Sequence, residues 1–125
     1  MFDELRDFKL LYVGSPYRKF KLGMGQAAKQ VAKITARLTI SGLPVYSPIA
    51  HGHMLSIYGG IHPSANELWE KINSPFMEMS GAIVVAKMDG WEESDGLADE
   101  IRQFQAVKKP VFYLDPHSLL VSNAA

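Results

Sequence analysis

The sequence predicts an α/β fold: a small doubly wound parallel sheet, flavodoxin- or Rossmann-like, with strand order 2-1-3-4 and helices on both faces. Two observations predict it. Short apolar strand patterns alternate with amphipathic helix patterns from end to end, as they do in chains built of βα units. The clearest strand, Ala82-Ile83-Val84-Val85-Ala86, is apolar at every position rather than at alternate ones, which is the pattern of a parallel strand covered on both faces. With 125 residues, 47% apolar and 21% charged, the chain has the size and composition of one globular core, and a single domain over residues 1–125 is expected.

Leu10-Leu11-Tyr12-Val13 reads as the first strand, closed by the turn residues Gly14-Ser15-Pro16. A basic, glycine-containing loop from Arg18 to Gly25 follows. Ala28, Val31, Ala32, Ile34, Thr35 and Leu38 then recur at helical spacing, with Gly42 as the stop. Val45-Tyr46-Ser47 reads as a second strand halted by Pro48. The stretch from His51 to His62 has repeated glycines and no clear period, and reads as a loop. Ser64-Ala65-Asn66-Glu67 has the form of a capping box, opening a helix through Leu68, Trp69 and Ile72 that ends before Pro75, with a short helical piece at Phe76–Met79. The third strand spans 82–88. The polar loop Asp89–Gly96 leads into a helix with Leu97, Ile101, Phe104 and Val107 on its apolar face and Lys108-Lys109 at its C-terminal end, where the helix dipole favours cations. Val111-Phe112-Tyr113-Leu114 is the fourth strand.

Composition excludes several classes of function. The longest apolar run is far short of the roughly 18–20 residues that a membrane span requires, so no membrane partner is expected. The first residues, with Asp3, Glu4, Arg6, Asp7 and Lys9, lack the basic-then-apolar order of a secretory signal, and a cytoplasmic location is expected. Without cysteine there is no thiolate nucleophile, disulfide or iron–sulfur cluster. The zero net charge hides a split: residues 1–66 carry eight Lys/Arg against three Asp/Glu, and residues 67–125 carry five against ten. That balance argues against a nucleic-acid polymer as partner, but leaves room for a small anion held by a few N-terminal cations.

In an open α/β sheet ligands bind outside the carboxyl ends of the strands, which directs attention to the loops after the first, second and third strands. Ser94-x-Gly96 opens a helix, where free N–H groups and the dipole suit an anion; the same residues also suit an ordinary serine N-cap. Glu100 lies about one turn further along, on a face able to look toward the same mouth or simply into solvent. Gly23-x-Gly25-x-x-Ala28 matches a dinucleotide fingerprint formally. Its first glycine is too far from the first strand, however, and the second strand ends in Tyr46-Ser47-Pro48 with no acidic residue for a ribose, so no cofactor is expected. His51-Gly52-His53 would point two imidazoles the same way only on an extended segment, and its spacing is not that of a zinc motif; no metal is expected.

Taken together, Tyr12-Val13-Gly14-Ser15-Pro16-Tyr17-Arg18, Ser94-x-Gly96-x-x-x-Glu100 and the following Lys109-Pro110-Val111 resemble the nucleoside 2-deoxyribosyltransferase-like superfamily. The likeness is nearest to a small bacterial branch with Ser-Pro-Ile and Gly-Trp-Glu-x-Ser signatures, here Ser47-Pro48-Ile49 and Gly90-Trp91-Glu92-Glu93-Ser94, and it covers roughly residues 10–115. The resemblance implies cleavage or transfer at the N-glycosidic bond of a nucleoside or deoxynucleoside 5′-monophosphate. Glu100 would be the nucleophile, Tyr12 the residue that orients it, Ser94 and Gly96 the phosphate- or sugar-binding turn, and Arg18 a phosphate contact. Gly14, Ser15, His51, His53 and Trp91 complete the candidate substrate-binding set. Where characterised members carry an aspartate that helps the base depart, this chain reads Ser80-Gly81-Ala82-Ile83. Asp89 is taken as the catalytic candidate in its stead, with Glu92, His51 and His53 as the other residues able to supply a proton. The alternative is a non-catalytic nucleotide or nucleotide-sugar binding module on the same fold. The resemblance also implies a homo-oligomer whose pockets are completed between subunits, with Met54–Tyr58 as a candidate surface.

Overall fold

The computed structural model describes residues 1–125. A single sheet of five strands runs β2-β1-β3-β4-β5, where β1 is Leu11–Gly14, β2 Val45–Tyr46, β3 Ala82–Ala86, β4 Val111–Leu114 and β5 Val121–Ser122. The first four are parallel and in the expected 2-1-3-4 order. Leu11 pairs with both Val45 and Ala82, and Ile83 pairs with Val111. β5 adds an antiparallel edge, Tyr113 facing Ser122 and Leu114 facing Val121. A turn leads into it, in which Asp115 Oδ1 accepts from the His117 and Ser118 backbone N–H groups.

Strand alternation divides the core into two clusters. Leu11 and Val13, with Ala82, Val84 and Ala86, project into a larger cluster with Val31, Ile34 and Leu38 of helix α1 (Met24–Ile40). Tyr12, with Ile83 and Val85, projects to the other face, against Leu97 and Phe104 of α4 (Asp95–Ala106). Every residue of β1 and β3 is buried, as strands covered on both faces must be.

The structure corrects the sequence at three places. Most of the expected loop from His51 to His62 is helix α2, Pro48–Gly59. Its stop and start signals are present: the Ser47 side chain accepts from Ala50 N at 3.1 Å, Pro48 occupies the first turn, and Gly60 closes the helix at φ 73°. The helical period is hidden because apolar residues are spread around the whole circumference. Helix α3 does not end before Pro75 but runs through it, Asn66–Met79, so the expected helix and short helical piece are one element. The capping box does not form. Ala65 is the N-cap residue, and the Ser64 N–H instead donates to His62 Nδ1.

α3 contributes no fully buried residue, so specific contacts fix it. Phe76 stacks on Tyr46 with ring centroids 3.9 Å apart, and the Tyr46 hydroxyl donates to Asn73 Oδ1. Lys109 Nζ donates to the Met77 and Glu78 carbonyls at 3.1 and 2.8 Å, neutralising acceptors left open at the helix C-terminus. At the other end the Trp69 indole N–H donates to the His62 carbonyl.

Candidate active site

A cavity of about 560 Å³ opens at the carboxyl ends of the strands, the position that open α/β sheets use for ligands. α3 supplies one wall, because Asn66, Trp69, Glu70, Asn73, Ser74 and Met77 fall at three- and four-residue spacing on one helix face. The α4 wall brings Ser94, Gly96, Asp99 and Glu100. The loop after β1 contributes Ser15, Tyr17, Arg18 and Lys19, and α2 contributes Pro48, Ile49, Gly52, His53 and Ser56.

The Tyr12 hydroxyl donates to Glu100 Oε2 at 2.5 Å. Tyr12 is fully buried, with its ring beside those of Tyr46 and Phe104. Burial pushes the Glu100 carboxyl up to about 7; the Tyr12 hydrogen bond opposes the rise, and the neighbouring Asp99 adds to it. The same surroundings raise Tyr12, first by burial and then by the nearby Glu100 charge, so the phenol keeps its proton and remains a donor. Tyr46 is likewise raised by burial and by Glu100.

Ser94 is the N-cap of α4, its Oγ accepting from Leu97 N at 3.3 Å. The capping role and a position on the cavity wall therefore coexist. Ser15, only 5% exposed, lines the cavity with a buried hydroxyl that no protein group satisfies. An orphaned buried hydroxyl at a cavity wall suits a polar ligand. Arg18 lines the same cavity and donates to the Pro63 carbonyl at 2.7 Å, which leaves other guanidinium N–H groups available.

Besides Tyr12, which meets the cavity only through Glu100, four candidate residues lie outside its lining. Asp89 and Trp91 do not line the cavity; Asp89 is exposed, and the Trp91 ring packs beside Tyr113. His51 also lies outside it, its ring beside Tyr46, whereas His53 lies on the wall. Two residues apart on a helix, the imidazoles are roughly 200° apart, so they do not share a direction as they would on a strand. Gly14 serves packing: a Cβ there would lie 2.8 Å from Leu97 Cδ1 and 3.0 Å from Ile83 Cδ1, so its small size lets α4 approach β1. The α3 residues of the wall escaped sequence reasoning, although Asn66, Glu70, Asn73 and Ser74 repeat at helical spacing as a polar stripe beside Trp69 and Met77.

The fold and the cavity together define an α/β protein with a mostly parallel sheet and a carboxylate-bearing pocket at its switch point. The family model described as Domain of unknown function (DUF1937) matches residues 9–115, and the chain belongs to that family. No curated protein matches the chain. No helix is long and apolar enough to cross a membrane.

Proposed function

We propose that this protein cleaves the N-glycosidic bond of a nucleoside or deoxynucleoside 5′-monophosphate, with Glu100 as nucleophile. The observation that carries the reading is the Tyr12–Glu100 pair, a half-buried carboxylate held by a phenol at the wall of a nucleotide-sized cavity. The motif order that resembles the nucleoside 2-deoxyribosyltransferase-like superfamily supports the same roles. A carboxylate oxygen attacks the anomeric carbon as the base departs, giving a glycosyl ester that water or a second base resolves. Tyr12 fixes the attacking oxygen and holds part of its charge. Ser15, Ser94, Gly96 and the α4 N-terminus offer hydroxyl and N–H groups to the sugar or phosphate, with Arg18 as the cation.

The reading includes a single cytoplasmic domain acting as a homo-oligomer. Met54, Ile57 and Tyr58 on α2 and Leu68 on α3 are each more than half exposed, which supports an intersubunit surface there.

The test is a screen of nucleosides and 5′-monophosphates for free base. Wild-type protein is expected to release base, and Glu100→Gln, which keeps the shape but is a far poorer nucleophile, is expected to lose at least about 10³-fold in turnover with affinity little changed. A Glu100→Gln variant with near wild-type turnover overturns the assignment.

A further inference from the structure

A departing base needs a proton, and the donor must come from a wall other than the one that carries the nucleophile. On α4, Asp95 and Asp99 stand beside Glu100 on the nucleophile's own wall, and Asp99 is engaged by Arg102 and Gln103. Asp89 and Glu92 are exposed and outside the cavity. Glu70 lies on the α3 wall, but it is exposed and no hydrogen bond holds its side chain.

His53 differs from all of these. It is half-buried on α2, one turn beyond Ile49 and Ala50, which pack against the larger core cluster. Tyr17, from the loop after β1, packs on the same cluster, and its hydroxyl lies 2.7 Å from His53 Nδ1 with the rings edge to face. Gly52 leaves room beside it for the Trp69 ring, which a Cβ would meet at 3.4 Å, so α2 and α3 close together at this point. Both Tyr17 and His53 line the cavity. Burial raises the Tyr17 hydroxyl, which therefore keeps its proton. With the imidazole neutral, that hydroxyl donates to Nδ1 and leaves the ring proton on Nε2; with the imidazole protonated, it accepts from Nδ1–H, and Nε2 again carries a proton.

From this geometry we infer that His53, held by Tyr17, is the proton donor to the departing base. The inference rests on the reading of Glu100 as nucleophile. As the Glu100 oxygen bonds to the anomeric carbon, the carbon–nitrogen bond breaks and its electron pair goes to the base, which takes the Nε2 proton of the imidazolium. Water then attacks the anomeric carbon, the ester electron pair returns to Glu100, and the proton released by water restores the imidazolium. The net change is substrate plus water to free sugar plus neutral free base. Tyr17 is a positioning residue that keeps Nδ1 occupied and leaves the transferable proton on Nε2.

The experiment compares 2′-deoxyguanosine 5′-monophosphate with its N7-methylated form, whose base departs neutral without receiving a proton. In a single turnover, which reads base release before water resolves the glycosyl ester, His53→Ala is expected to slow release from the unmodified nucleotide by about 10²–10⁴-fold and from the methylated one by less than about tenfold. Tyr17→Phe should show the same asymmetry at smaller amplitude, while Glu100→Gln should slow both alike. Equal losses on the two substrates, or none, in His53→Ala overturn the role of His53 while leaving Glu100 standing. A wild-type protein that cleaves neither nucleotide overturns the underlying reading and this inference with it.

Discussion

The Tyr12 hydroxyl and the Glu100 carboxylate meet at 2.5 Å although 88 positions separate them in the chain. β1 buries Tyr12 on the face that α4 covers, and α4 begins at the Ser94 cap so that Glu100 falls in its second turn. The strand order makes the meeting possible, because β1 and β3 are neighbours and α4 follows β3. A phenol facing a carboxyl in partly apolar surroundings gives a carboxyl group that is held in place yet only part-ionised near neutrality.

That ionisation carries a stability cost with a definite sign. The folded Glu100 carboxyl titrates at about 7, against an ordinary value of 4.5, so the folded state binds the proton more tightly than the unfolded chain. Its contribution is full below about pH 4.5 and is lost as pH rises through about 7. Glu100→Gln should remove this loss and stabilise the protein at pH 8 by about 1–3 kcal/mol, the full shift being discounted for the residue's partial exposure. Urea unfolding of both proteins at pH 5 and pH 8 checks it: the difference between them should be larger at pH 8.

Removing the phenol acts in the opposite direction on activity. Tyr12→Phe deletes the hydrogen bond that lowers the Glu100 carboxyl, which should then titrate above about 7. Since the attacking form is the carboxylate, the rising acidic limb of the pH–rate profile should move to higher pH, and turnover at pH 7 should fall about tenfold or more, as for loss of a hydrogen bond to a charged group. A profile displaced to lower pH, or unchanged, would contradict this account of the pair.

The four parallel strands are legible in the chain because their signal is local: β3 is apolar at every position and β1 ends in Gly14-Ser15-Pro16, so period and punctuation agree; the antiparallel β5, only two residues long, carries no such signal. α2 was hidden by the opposite circumstance, apolar residues around the whole helix, which leave no stripe to detect even though Ser47-Pro48 and Gly60 mark both ends. Pro75 misled because proline usually stops a helix; here the loss of one N–H is tolerated in a helix whose far end is held by Lys109. Tyr12, Ser94 and Glu100 could be singled out from motif order, whereas the Tyr17–His53 contact could not. That contact depends on α2 being helical, since only then do His51 and His53 face different directions.

Gly90 ties the first and third loops together. Its φ is +85°, and a Cβ there would clash with the Lys19 carbonyl oxygen, closer than any side chain can approach. Gly90→Ala combines left-handed backbone strain with a clash against backbone, and a loss of about 2–4 kcal/mol is expected. The midpoint of urea unfolding should fall accordingly. Because Lys19 lies on the cavity wall, the variant should also bind 5′-monophosphates more weakly at temperatures where it remains folded.

Under the proposed function, Arg18 is the residue whose loss should separate phosphate recognition from recognition of the rest of the ligand. It is exposed, donates one N–H to the Pro63 carbonyl, and lines the cavity that also holds Ser15, Ser94 and Gly96. A guanidinium uses paired donors on a phosphate, and a charge-assisted contact of this kind contributes roughly 1.5–3 kcal/mol. Arg18→Ala should therefore weaken binding of a deoxynucleoside 5′-monophosphate by about 10–100-fold and of the matching nucleoside by less than about threefold, both measured by titration calorimetry at fixed ionic strength. Raising the salt should shrink the difference for wild-type protein, because the contact is exposed and screened. Equal losses for nucleotide and nucleoside would mean that Arg18 acts through the Pro63 carbonyl, shaping the cavity rather than reading phosphate. Arg18→Lys distinguishes the two roles further: it keeps the charge without the planar fork, and should recover part of the nucleotide affinity if phosphate is what Arg18 reads.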